Sequence, residues 1–143
     1  MSPSDPSTPR VARRVAINPI DLDLVLVRLR RDTPEQRLEW NLGENGAFDL
    51  DTSFVALGPS DGPGFATSAR LWDPTHLAVA PIVVTIRPGG DGRCELEARA
   101  GSLSPWWSRH VHEFLRLATA ALDELGEELL WYAAGLRRER RPF

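Results

Sequence analysis

Lysine is absent from this 143-residue chain, and all 17 of its basic residues are arginine. That count excludes Schiff-base chemistry on a lysine amine and a phosphate-loop lysine. Cysteine is nearly absent too: Cys94 stands alone, which rules out an internal disulfide and any multi-cysteine zinc site. Such sparing use of cysteine fits a reducing compartment and predicts a cytoplasmic protein. Long apolar runs are also missing. The longest, around Leu77 to Ile86, falls far short of the roughly 20 residues that cross a bilayer, so no membrane span is expected. The segment Ser2-Pro3-Ser4-Asp5-Pro6-Ser7-Thr8-Pro9 lacks the basic-then-apolar order of a secretory signal, and residues 1–10 read as a disordered leader.

What is there is 42% hydrophobic and 26% charged with a formal net charge of -3, the composition of one globular domain. A chain of this length buries enough surface to fold without metals or disulfides. The domain is expected over residues 11–136, followed by a basic tail over 137–143. Two arginine clusters, Arg10, Arg13 and Arg14 and then Arg137, Arg138, Arg140 and Arg141, raise the question of phosphate binding. The second cluster complements the dipole of a preceding helix, and the acidic middle repels nucleic acid, so no nucleic-acid partner is expected.

Val11 to Ile17 reads as a strand, after which Asn18-Pro19 supplies a helix cap and a proline in the first turn. Leu22, Val25, Leu26 and Leu29 follow at i, i+3, i+4 and i+7, with acids at the start and arginines at the end. The alternation Ile20, Leu22, Leu24, Leu26 also permits a strand; the cap and charge polarity favour helix. Thr33-Pro34-Glu35-Gln36 then has the form of a capping box and predicts a second short helix, carrying Leu38 and Trp40 and ended by Gly43.

From Phe48 the apolar period becomes two, predicting a strand to Leu57 with Phe48, Leu50 and Phe54 on one side and Asp49, Asp51 and Ser53 on the other. Further strands are expected at Phe65–Trp72, at His76–Arg87 with a break or bulge at Pro81, and at Cys94–Ala100 as a hairpin partner. Ser104-Pro105 caps a long amphipathic helix, with Trp107, Val111, Phe114, Leu122, Leu125 and Leu129 on its apolar stripe.

A strand, two short helices, a run of antiparallel strands and a long closing helix form an α+β arrangement. Val15-Ala16-Ile17-Asn18-Pro19, Val25 through Leu29, Asp32 and Trp40 resemble the opening of the START-like (SRPBCC, helix-grip) superfamily. Ile82–Ile86, the glycine turn, Cys94–Ala100, Pro105-Trp106 and the helix to Leu130 resemble its ending. The chain departs in having fewer evident central strands than the usual seven. The resemblance implies a curved antiparallel sheet wrapped around the C-terminal helix, with a cavity between them for a small apolar or aromatic molecule and no cofactor. Residues expected to meet that molecule are Trp40, Phe54, Arg70, Trp72, Trp107, Val111 and Phe114. Some members of the superfamily cyclise or hydrolyse their ligands, so an enzyme is a further reading.

Each side chain also has a plainer role. Five Trp in a small domain invite a ligand-stacking reading, with core packing of Trp40, Trp72 and Trp107 the plainer and favoured one. Trp106 and Trp131 each neighbour a residue of the main stripe and so face away from it, which marks a contact surface and a homodimer as the alternative to a ligand-binding role. His110 and His112 lie roughly 200° apart around a helix and cannot share one metal, and no metal site is expected. His76 beside Asp73 has the form of a general base or of a solvated strand end. Asp49 and Asp51 lie about 7 Å apart on one strand face, a carboxylate pair or a wet sheet surface. Arg70 and Arg87 fit a ligand carboxylate or cross-hairpin pairing with Glu95 and Glu97. Cys94 is expected inward and inert. No catalytic residue is named.

Overall fold

The computed structural model describes residues 8–43, 46–73 and 78–139. Strand β1 (Arg10–Val15) leads into helix α1 (Pro19–Asp32), which begins as the cap predicts: Asn18 Oδ1 accepts a 3.0 Å bond from the Ile20 amide. The choice between helix and strand for residues 20–30 falls to helix, with Leu22, Val25, Leu26 and Leu29 buried in one stripe. Its end is closed by Thr33, whose hydroxyl donates to the Leu29 carbonyl at 2.9 Å and lies 2.9 Å from the Thr52 hydroxyl.

That use of Thr33 explains why the predicted second helix lasts one turn. The hydroxyl is committed backwards and caps nothing ahead of it, and Glu35 and Gln36 both take φ near 58°. Two consecutive left-handed residues expel the chain from the Pro34–Gln36 3-10 turn into an extended path. Leu38 and Trp40 therefore lie on strand β2 (Arg37–Asn41) and not on a helix. Gly43, with φ of 95°, belongs to the following turn.

Strand β3 (Ala47–Asp51) pairs with β2, and the strand expected to run on to Leu57 is interrupted. Asp51 Oδ1 accepts from the Ser53 amide at 2.8 Å, an Asx turn, and only Val55–Ala56 returns to the sheet as β4. Strands β5 (Phe65–Asp73), β6 (Ala78–Pro88) and β7 (Cys94–Ala100) complete seven antiparallel strands in the order β1-β7-β6-β5-β3-β2, with β4 on β5. The central strands that the sequence made hard to see are thus present. Pro81 neither breaks nor bulges its strand. The β5–β6 register runs through Arg70↔Pro81 without a slip, and the β6–β7 ladder ends next to it at Ile82↔Ala100.

The C-terminal helix is two segments, α2 (Pro105–Arg109) and α3 (Val111–Glu139). At His110 the backbone leaves helical geometry (φ −124°, ψ 44°), and the imidazole Nδ1 donates to the Trp106 carbonyl at 2.7 Å. A side chain thereby takes the carbonyl that the His110 amide would have used, and that amide bonds Trp107 instead at 3.0 Å. Helix α3 lays Phe114, Leu117, Ala118, Ala121, Leu122, Leu125 and Leu129 on the inner face of the sheet, against Phe48, Leu50, Leu71, Val84, Ile86 and Leu96. Each large side chain so buried contributes about 2 kcal/mol. At Gly126 the helix backbone faces the sheet, and a Cβ there would lie 3.7 Å from Leu96 and 3.8 Å from Val15. The result is a helix-grip arrangement, an open curved sheet closed on one side by α3.

Candidate functional site

Paired residues of antiparallel strands share a face, so the registers decide which side chains can meet a molecule between sheet and helix. Trp40 opposite Phe48 belongs to the inner face, where the two rings stack at 5.2 Å and 12°. Phe54 is half-buried against the same core. Trp107 is buried at 1% exposure, edge-on to Phe114 at 6.1 Å and to Trp106 at 4.7 Å. Its indole Nε1 has no hydrogen-bond partner. A buried donor left unmatched costs about 1–3 kcal/mol, so the interior here has a polar requirement that its own side chains leave open. Ala100–Leu103, Ser108 and Val111, with Thr8 and Pro9, line a cleft of about 400 Å³ at the end of β7, and Trp107 is not among its lining residues.

Arg70 and Trp72 are not part of this group. Leu71 pairs with Phe48 on the inner face, which turns its two neighbours to the outer one. There the Arg70 guanidinium lies 5.1 Å from the centre of the Trp72 ring and donates to Asp49 at 2.5 Å. Arg37 donates to both oxygens of Asp49 at 2.8 Å. Asp49 is therefore a buried carboxylate clamped by two arginines, neither a wet surface acid nor half of a pair with Asp51. Glu97, one of the two acids offered to Arg70 and Arg87, takes Arg99 at 3.3 Å and Arg10 at 3.6 Å. Arg87 stands opposite Glu95 in the β6–β7 register.

Asp73, at the end of β5, faces inward at 2% exposure. It adds to the field on Arg116 of α3, whose proton is held chiefly by the bond to Glu113 and also by Asp73. His76 lies outside the described residues. His112 is exposed and His110 is occupied by Trp106, and no metal-holding group of His, Cys, Asp or Glu is found among the described residues. Cys94 is buried, donates weakly to the Ile17 carbonyl at 3.4 Å, and has its pKa raised by burial, which keeps the thiol protonated and unreactive.

The two outward tryptophans differ. Trp106 is half-buried, its ring stacked on His110 at 4.1 Å and 14°. Trp131 is 64% exposed and rests edge-on against Tyr132 at 5.0 Å. The Tyr132 phenol is pushed up first by burial and then by the charge and hydrogen bond of Asp32. The Arg37 clamp escapes a sequence reading that places Arg37 on a helix, since the structure puts it on β2. The signal was the alternation Arg37, Glu39, Asn41 against Leu38 and Trp40.

No family model matches the chain, and no curated protein does. Among solved structures it is similar to DynU16, a protein of the dynemicin biosynthetic locus, at 14% identity and a TM-score of 0.43. That alignment covers 92% of this chain and 49% of DynU16, so the chain spans about half the length of that protein. No helix among the described residues is long and apolar enough to cross a membrane.

Proposed function

We propose that residues 11–136 form one START-like domain of a reducing compartment that binds a small, largely apolar molecule bearing one hydrogen-bond acceptor. The observation that carries this reading is the Trp107 indole N–H, buried without an acceptor between Trp106 and Phe114 and one residue from the cleft at Ser108 and Val111. Small-molecule sites combine apolar walls with a few convergent polar groups, and Thr8, Ser102 and Ser108 make this cleft mixed in character. Trp40, Phe54, Val111 and Phe114 supply apolar contact, and Trp107 supplies orientation. Arg70 and Trp72, on the outer face, are outside the proposed pocket. A cyclase or hydrolase reading rests on Asp73, an inward acid at the end of β5, and needs a proton acceptor or donor aligned with it.

Mass spectrometry under native and then denaturing conditions tests the proposal directly. The folded chain should carry small-molecule mass above 15.9 kDa that is released on unfolding. Trp107→Phe keeps the ring and removes the donor, and should weaken retention about tenfold, the worth of one hydrogen bond. A folded chain with no bound mass, or a Trp107→Phe variant that retains its ligand unchanged, would remove the reading.

A further inference from the structure

Four of the exposed large apolar residues, Ile20, Leu24, Val27 and Trp131, are on the two long helices, and Val55, Val79 and Val83 are on strands. On α1, Ile20, Leu24 and Val27 are exposed and continue along one face to Arg31, which lines a cleft of about 220 Å³ with Trp131, Gly135 and Arg138 of α3. On the far side of the Trp131 ring, Glu124, Glu127 and Glu128 line a second cleft of about 450 Å³. Among the described residues none of these three glutamates is ion-paired. The exposed stripe of α3 thus reads acidic, aromatic, small, basic in chain order.

The spacing makes this stripe complementary to itself. Glu124 lies seven residues before Trp131 and Arg138 seven after, about 10 Å of helix rise in either direction, and heptad spacing drifts by only about 20° per step. A second α3 laid antiparallel across the first, with the twofold axis at Trp131, brings Glu124 of each copy to Arg138 of the other. Glu127 and Glu128 then oppose the Gly135 region, and the two Trp131 rings meet at the axis. An isologous contact of this kind forms every pair twice. It also has the anatomy of a protein interface, an aromatic centre with charges at the rim.

We propose that the occupant of this surface is a second copy of the chain, joined as an antiparallel α3–α3 dimer with Trp131 at its centre. The ligand reading above is independent of it, since the inner face of the sheet is on the opposite side of α3.

Light scattering on the full chain across a dilution series should give twice the chain mass of 15.9 kDa. Glu124→Arg and Arg138→Glu should each return the mass to one chain, with far-UV circular dichroism unchanged because both side chains are on the surface. The double variant Glu124→Arg, Arg138→Glu should regain the dimer, since swapping both ends restores each pair. A wild-type chain of single mass throughout, a dimer that survives Trp131→Glu, or a double variant that stays monomeric overturns the proposal.

Discussion

Asp49 and Arg70 stand directly opposite in the β3–β5 register and share a 2.5 Å bond across the outer face of the sheet. The acid is 2% exposed, while its two arginine partners are half in solvent. The arrangement is asymmetric, and so are the expected costs of dismantling it. Asp49→Ala frees two arginines that can turn to water, and should cost about 1–3 kcal/mol. Removing Arg37 and Arg70 together strands a buried carboxylate and should cost about 3–5 kcal/mol. Urea unfolding of the four variants checks the order, and each arginine replaced singly should cost less than half of the pair, because the other still holds the acid.

Two glycines should respond to alanine with opposite signs. At Gly126 a Cβ meets Leu96 and Val15 at ordinary contact distance, and the helix gains up to about 1 kcal/mol from the better propensity of alanine. At Gly46 the Cβ collides with a terminal methyl of the fully buried Leu117, which must shift within the core, so the change should cost about 1–3 kcal/mol. Thermal melts of Gly126→Ala and Gly46→Ala read the two signs against the wild type.

Tyr132 is the only tyrosine, so its phenol can be followed alone by absorbance during alkaline titration. Burial and then Asp32 raise its pKa above the ordinary value of 10. A pKa raised in the folded state means that the native chain holds this proton more firmly than the unfolded one. The associated stability is complete below the ordinary phenol pKa and disappears as pH rises through the folded value. Asp32→Asn should move the titration down toward the ordinary value, although burial alone keeps it above. An unshifted phenol in the wild type would contradict the packing against Asp32.

Much of this fold is legible in the sequence, for reasons that are local. Asn18-Pro19 and Ser104-Pro105 start their helices because a cap and a proline act on adjacent backbone groups, whatever the rest of the chain does. Phe48 and Leu50 reveal a strand face by alternation alone. The misreading at Thr33–Gly43 has a non-local cause. A capping box is only an offer, and here the Thr33 hydroxyl is claimed by Leu29 and Thr52, while β3 supplies a ladder that Leu38 and Trp40 can join. Arg70 and Trp72 show a different limit. Their alternation with Ala69 and Leu71 is visible, but which face is inward follows only from the pairing of Leu71 with Phe48. The arginine clamp on Asp49 depends on two strands at once, and no single segment announces it.

The register between β1 and β7 also governs when the protein can form during synthesis. Val15 pairs with Cys94 and Arg10 with Arg99, so β1 leaves the ribosome about 80 residues before the strand it pairs with among the described residues. Until then its arginines keep an unpaired edge soluble. The sheet can zip from β2 through β7 while β1 waits, and the pairing that closes it is the one with the largest loop to close, the kind of contact that sets a slow folding rate. A chain cut short before Cys94 would hold every residue of β1 and have nothing to hydrogen-bond it to.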